Sequence, residues 1–300
     1  MGNIWLHRYA VLLAVCTLFL VVAGASVTSN QAGLSVPDWP LSYGQLMPEM
    51  KGGVFFEHGH RMIATAVGFL TIILAIWLWR ADDRPWMRKL GFIALGAVIL
   101  QGVLGGMTVR YLLPKPVSIA HACLAQLFFS TTVAIAMFTS PSWRQGPMYV
   151  QDTGWPSLRS LSLFTSVLVL AQLALGAGFR HRAFGVLPHI IGALVVTTVI
   201  FLVGAFILAQ FNDHAILRRC AWALMGVTLL QVMLGIAALM ARLSVMDAVD
   251  TSLRTVVLTV LHVATGALTM AATVALSIQV FRNVRPREAE VPSGNLRTAS

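Results

Sequence analysis

Residues 57–61 read Glu-His-Gly-His-Arg and stand where a polar stretch, 26–56, meets an apolar one, 62–79. Ionisable side chains at the mouth of a membrane helix are costly, and they mark a candidate functional site. The placement recurs, since a histidine also opens each of three later apolar segments: His121, His189 and His262. Four helices with a histidine at the same end predict a fold organised around those side chains.

The composition is typical of a polytopic membrane protein. Of the 300 residues, 57% are hydrophobic and 11% are charged, and the mean hydropathy is +0.79, whereas a soluble domain averages about 25% charged residues. The net charge of +10 could indicate a nucleic-acid partner. The basic residues are instead scattered through short loops, which favours membrane topology and no nucleic acid. The cysteines are not spaced as metal ligands: Cys16, Cys123 and Cys220.

Eight apolar segments are each long enough to span a bilayer. The sequence therefore predicts an all-α integral membrane protein with eight transmembrane helices. Ala23-Gly24-Ala25 resembles a signal-peptide cleavage site, but the first segment is longer than a signal core, so we interpret it as a helix. The predicted helices are 9–27, 62–79, 90–108, 118–139, 161–178, 186–210, 220–240 and 255–281.

The distribution of Lys and Arg predicts the orientation. The two ends of the chain and the 80–89, 140–160 and 211–219 loops carry 13 of the 21 basic residues, and the other four connections carry 8. Because the excess marks the cytoplasmic side, we expect both termini to be cytoplasmic. The four helix-opening histidines then face outward.

The chain also repeats itself. A glutamine stands four residues before a glycine late in three odd-numbered segments, at 101–105, 172–176 and 231–235, and histidines open the even-numbered ones. This pattern predicts two four-helix bundles that are parallel repeats about an axis along the membrane normal. The expected divisions are an N-terminal half at 1–140, a linker at 141–158, a C-terminal half at 159–284 and a disordered tail at 285–300.

Histidines at matched depth can form two pairs, His60 with His121 and His189 with His262. Two imidazoles that face each other across a helical bundle suit the axial positions of a haem iron. A structural histidine is the better interpretation of any single one, but not of four in a repeated pattern. We interpret the remaining histidines as structural or loop residues: His7, His58, His181 and His214.

Glu57 precedes His60 by about one helical turn, so both side chains can face one cavity. A carboxylate there could orient, or accept a proton from, a group bound beside His60. Alternatively it is a helix-start carboxylate near water, stabilised by the helix dipole. The spacing leaves both open. Arginines at the same outer level could bind haem propionates or anchor the interface: Arg61, Arg110, Arg180, Arg182 and Arg242.

Two motifs of the chain resemble the haem A synthase family. The Glu-His-x-His-Arg run at 57–61 resembles the family signature, and so does Gly-Leu-Ser-Val-Pro-Asp-Trp-Pro-Leu-Ser-Tyr-Gly at 33–44. Eight spans with a histidine opening each even-numbered helix also match, over about residues 8–282. Many bacterial members carry a cysteine pair in the first outer loop. This chain has Val36 and Ser42 there, so a loop disulfide is absent.

The resemblance implies oxidation of the C8 methyl group of haem O to a formyl group by successive hydroxylations, giving haem A for terminal oxidases. It implies that His60 and His121 flank the substrate haem, that His189 and His262 ligate a haem b that relays electrons, and that Glu57 is the essential carboxylate. Arg61 is assigned to cofactor binding. The expected location is the bacterial cell (inner) membrane. Candidate partners are a haem O synthase, an electron donor and a second copy of the chain.

Two other functions stay open. One is a di-haem b cytochrome that transfers electrons without modifying haem, and the other is a transporter built on parallel repeats. The Glu57 cluster favours the enzyme, because electron transfer needs ligands but no acid or base. A transporter would place broken helices and polar groups near mid-membrane, whereas the polar groups here lie at one outer edge.

Overall fold

The computed structural model describes residues 3–152, 154–244 and 252–286. Eight helices in these ranges are long and apolar enough to cross a membrane, which confirms the all-α integral membrane class. A short helix and two three-residue strands complete the described part. The elements are α1 (Ile4–Ser29), α2 (Gly53–Ala81), α3 (Pro85–Arg110), α4 (Lys115–Thr139), α5 (Pro141–Arg144), β1 (Val150–Asp152), α6 (Leu158–Arg180), α7 (Leu187–Gln210), α8 (Ala215–Leu243), α9 (Leu253–Asn283) and β2 (Val284–Pro286).

The helices begin where local chemistry satisfies their first backbone N–H groups. Asn3, Ser157 and Ser252 accept hydrogen bonds from the first turns of α1, α6 and α9, as N-cap residues do. Proline stands in the first turn of α3, α4 and α7, where its missing N–H has no cost. The largest boundary error concerns α2, which begins at Gly53 and not near 62. The 57–61 cluster therefore lies inside the helix.

Two sets of helices pack side by side. Helices α1–α4 contact one another, as do α6–α9, and the sets meet where α1 and α4 contact α6 and α9. Each set has its own apolar core, and a third cluster lies between them, formed by Val21, Phe129, Ala267 and Ala271. The internal repeat itself stays a prediction. The outward faces are rich in exposed Leu, Ile and Phe, as expected of surfaces that meet lipid.

The predicted linker is tied to the end of α9. Strand β1 pairs in parallel with β2, and the Asn283 side chain accepts a hydrogen bond from the Met148 N–H at 2.9 Å. Asp152 is buried and accepts from the Leu158 N–H at 2.6 Å, which caps α6. Residues 285–286 of the predicted tail belong to β2, and the rest of that tail lies outside the described residues.

Candidate functional site

Each of the four helix-opening histidines lies against a glycine of the preceding long helix. Side chains seldom approach a Cβ atom this closely, so the absence of a side chain at the glycine makes room for the imidazole ring. The pairs, with the distance from an added Cβ to the ring Cε1, are Gly24–His60 (3.1 Å), Gly105–His121 (3.4 Å), Gly176–His189 (2.9 Å) and Gly235–His262 (2.8 Å). We call these pairs the glycine seats.

The second histidine pair has the spacing of two axial ligands. The ring centroids of His189 and His262 are 6.2 Å apart, and the ring planes cross at 83°. If a metal binds one nitrogen of each ring at about 2.0 Å, and the rings lie on opposite sides of it, the ring centroids are about 6 Å apart. The Nδ1 atom of His262 lies 3.1 Å from the Gln231 backbone oxygen. Since a carbonyl only accepts, Nδ1 donates and Nε2 keeps the lone pair that a metal requires.

Glutamines of the repeated motif also contact this pair. The Gln172 side-chain amide donates to the His189 backbone oxygen at 2.8 Å and lies 2.9 Å from the His189 Nδ1. The Gln231 amide nitrogen lies 3.5 Å from the His262 Nε2. The second pair is thus seated by glycines and also held by polar groups of α6 and α8.

The first pair is seated but less firmly held. The Nδ1 atoms of His60 and His121 are buried and make no hydrogen bond of good geometry within the described ranges. The side-chain oxygens of Gln101, Gln172 and Gln231 are likewise without a partner there, so the two pairs differ in their ring nitrogens. In α1 the position four residues before Gly24 is Leu20, not glutamine. Buried polar atoms without partners call for an explanation, and a bound molecule that orients the rings supplies one.

Glu57 is enclosed, and the expectation that it lies near water is wrong. Only 4% of its surface is exposed. Its Oε2 accepts from the Val36 N–H at 2.8 Å, and its Oε1 accepts from Arg61 Nη2 at 2.7 Å. The prediction failed because α2 begins four residues before Glu57 and the outer loop folds back over it.

Arg61 and His58 fasten the same loop. Arg61 Nη1 donates to the backbone oxygens of Asp38 and Leu41 at 2.8 and 2.9 Å. The His58 Nδ1 lies 2.8 Å from the Ser42 Oγ. We call the contacts of Glu57, His58 and Arg61 with residues 36–42 the loop latch. It engages Val36 and Ser42, the two positions at which the family resemblance places a cysteine pair.

The latched loop reaches the first histidine pair. The Trp39 ring lies against Gly106, so that an added Cβ would stand 2.8 Å from it, and Gly105 beside it seats His121. The loop is internally braced, because the Asp38 carboxylate accepts from the N–H groups of Gly44 and Tyr43. The bond from Gly44 is the main cause that lowers the pKa of Asp38. The loop therefore packs beside the glycine that seats His121.

Known proteins match this chain over the latch and the first pair. A family model described as cytochrome oxidase assembly protein (COX15-CtaA) matches residues 47–187, which include 57–61 and His121. Relatives named heme A synthase come from Shouchella clausii (26% identity, 59% of each chain), Symbiobacterium thermophilum (30%, 55% of each chain) and Beijerinckia indica (27%, 73% of each chain). The chain is therefore similar to these heme A synthases over about half to three quarters of its length. It spans less than two thirds of the Shouchella and Symbiobacterium relatives.

The end of α6 contacts the first helix set. Arg180 Nη2 donates to the Ala25 backbone oxygen and to the Ser29 Oγ, both at 2.8 Å. Burial lowers the pKa of the adjacent His181 to about 4, and the charges of Arg180 and His121 add to the effect. Sequence reasoning placed Arg180 among the outer arginines but could not predict its contacts with Ala25 and Ser29, which lie about 150 positions away. His7 and His214 contact the backbone oxygens of Ala136 and Met148.

Proposed function

We propose that this protein is a haem A synthase, which oxidises the C8 methyl group of haem O to a formyl group through a hydroxylated intermediate. The observation that carries the proposal is the pairing of glycine-seated histidines in both helix sets, in a chain whose first set also holds the Glu-His-x-His-Arg run. The relatives named heme A synthase support the same role. An oxidation of one haem by a protein that retains another needs two haem sites.

In this proposal His189 and His262 hold haem b. The ring spacing of 6.2 Å and the donor role of the His262 Nδ1 fit that group. When bound, haem b supplies one-electron redox chemistry. The contribution of the chain is orientation, since the Gln231 backbone oxygen and the Gln172 amide fix the two rings against their glycines.

The substrate, haem O, would lie between His60 and His121. These rings are seated by Gly24 and Gly105 but lack the polar ties of the second pair, which suits a molecule that must enter and leave. We expect the loop beside Gly105 to limit the access of water to this site. We therefore assign the exchangeable haem to the first helix set and the retained haem to the second.

Glu57 is the proposed catalytic carboxylate, acting as acid or base beside the first pair. Both of its oxygens are engaged, so proton exchange requires one of them to leave the Val36 N–H or the Arg61 guanidinium. Arg61 was assigned to cofactor binding. Its bonds to Glu57 and the loop carbonyls favour a positioning task, in which it holds the carboxylate and the loop beside the haem.

The charge asymmetry of the loops indicates how the protein is oriented in the membrane. We propose a bacterial cell membrane location with both termini cytoplasmic, so that both histidine pairs lie at the outer side. The partners that this role requires are a supplier of haem O, such as a haem O synthase, and an electron donor. A second copy of the chain is a further candidate partner.

Pigment extraction tests the function directly. The full chain is expressed in cells that make haem O but no haem A, and haems extracted from the purified protein are separated by chromatography. We expect haem b together with haem O and haem A. Haem b alone would favour the di-haem cytochrome, an alternative supported by the engagement of both Glu57 oxygens, because electron transfer needs ligands but no free acid or base.

A further inference from the structure

Arg180, the last residue of α6, stands at the boundary between the helix sets. Its Nη2 donates to Ala25 and Ser29 of α1. Ala25 follows Gly24, the residue that seats His60. An arginine of the second set therefore holds the first set directly beside the proposed substrate site.

The surroundings of Arg180 are positive. Arg242, whose guanidinium lies over the Phe179 ring at 5.0 Å, is a second cation close by, and Arg180 lies one helical turn beyond Gly176, the glycine that seats His189. In the described ranges the ion pairs involve the acids Glu49, Glu57 and Asp82, none of them with Arg180 or Arg242. A partly buried cation among other cations is stabilised by an anion. This cluster therefore has the electrostatics of an anion site.

Two donor groups of Arg180 remain for an anion. Its hydrogen bonds to the described residues use only Nη2, which serves both Ala25 and Ser29, so Nε–H and Nη1–H can each donate one hydrogen bond to a ligand oxygen. Hydrogen bonds from a guanidinium to a carboxylate are charge-assisted and strong. The other outer arginines fit less well, because Arg61 is committed to the loop latch and Arg110 and Arg182 are exposed.

We propose that Arg180, supported by Arg242, binds a carboxylate, and that this carboxylate is a propionate of the haem held by His189 and His262. The proposal rests on the proposed function, because it requires haem at the second pair. It adds a physical link between the sites, since the same guanidinium grips α1 beside Gly24.

Comparison of haem with its dimethyl ester, in which both propionates are neutral, tests the site. The full chain carrying His60→Ala and His121→Ala, so that only the second pair reports, is purified without haem in neutral-lipid nanodiscs. Each compound is titrated and followed by the bis-histidine absorption band. We expect the double variant with Arg180 intact to bind haem roughly tenfold to a hundredfold more tightly than the diester, the range of charge-assisted hydrogen bonds. This ratio of the two affinities is the quantity to compare between variants. Arg180→Gln should remove most of that ratio.

Matched variants separate this site from other effects. Arg182→Gln removes an exposed arginine two residues away and should keep the full ratio. Arg180→Lys keeps the charge without the separate guanidinium donors and should lower the ratio only in part, and it decides the matter if Arg180→Gln does not fold. Asp247 and Asp250 lie in the sequence between α8 and α9, outside the described residues. Changing both to Asn should leave the ratio unchanged or raise it.

Three results would overturn the proposal. The first is an affinity ratio that is unchanged in both Arg180 variants. The second is a ratio that Arg182→Gln lowers as much as Arg180→Gln does. The third is a dependence on Arg180 that appears only when phosphatidylglycerol is added, which would assign the site to a lipid phosphate. The assay measures binding and not haem A formation. A failure of the synthase proposal would therefore leave the carboxylate site standing, and the reverse also holds.

Discussion

The Oε2 atom of Glu57 accepts a hydrogen bond from the Val36 N–H at 2.8 Å, across 21 positions of sequence. The other carboxylate oxygen is bound by Arg61. One buried residue therefore joins α2 to the outer loop and also stands one helical turn from His60. A catalytic task and a fastening task for Glu57 predict different outcomes when the residues of the latch are changed separately.

Glu57→Gln should block chemistry while the protein still folds. Glutamine can still accept from the Val36 N–H but can neither carry the charge nor exchange a proton at neutral pH. Loss of a positioned acid or base typically costs about 100- to 10,000-fold in rate. We expect membranes that express the variant to keep haem b and to accumulate haem O or the hydroxylated intermediate, as measured by haem extraction and chromatography. A normal yield of haem A would end the catalytic assignment.

Arg61→Gln should destabilise the protein more than Glu57→Gln does. It leaves the Glu57 carboxylate buried with one backbone N–H as its partner, and removal of one member of a buried ion pair typically costs about 3–5 kcal/mol. Glu57→Gln leaves a neutral amide, and Arg61 keeps its bonds to the Asp38 and Leu41 oxygens. Thermal unfolding midpoints of the purified variants give the comparison. Equal midpoints would show that the charge of Glu57 is satisfied in another way.

The two histidine pairs should respond differently to alanine substitution. His189→Ala or His262→Ala removes an axial ligand and should abolish the low-spin haem b spectrum of the purified protein. His60→Ala alters only the proposed substrate site and should leave that spectrum in place. Retention of haem b in both second-pair variants would contradict the ligation, and loss of haem b in His60→Ala would reverse the assignment of the two sites.

Stability should fall with acid through His181. Its pKa is lowered from 6.5 to about 4 in the folded protein, so between these pH values the unfolded chain binds the proton and the folded one does not. The contribution of His181 to stability is therefore complete above about pH 6.5 and is lost as the pH falls towards 4. His181→Asn should flatten that part of the curve of unfolding midpoint against pH. An identical slope in wild type and variant would remove His181 from the acid response.

The sequence predicted the features that local pattern controls. Apolar length placed all eight spans, and the repeated histidines marked the four positions that lie against glycines. The start of α2 was missed because Glu57, His58 and Arg61 are polar, yet their polarity is satisfied by a loop that the helix itself helps to fold. The bonds from Glu57 to Val36 and from Arg180 to Ala25 join distant positions without any periodic signal. Only the packed chain reveals them.

The glycine seats give the last prediction. Each glycine of the repeated motif has a histidine ring against it. A methyl group at Gly235 would stand 2.8 Å from the His262 Cε1, too close for the ring to keep its place. Gly235→Ala should therefore displace the ring and lower the haem b content of the purified protein, even though alanine is the better helix former.

Gly226→Ala is the matched control in the same helix, because an added Cβ there meets no atom within 4 Å. It should leave the haem b content and spectrum unchanged and stabilise α8 slightly, by about 0.5–1 kcal/mol at most. The haem content per protein of both variants is measured by the absorption of the extracted pyridine complex. If Gly235→Ala binds haem b as fully as Gly226→Ala, the ring of His262 does not need its seat, and the glycine serves helix packing alone.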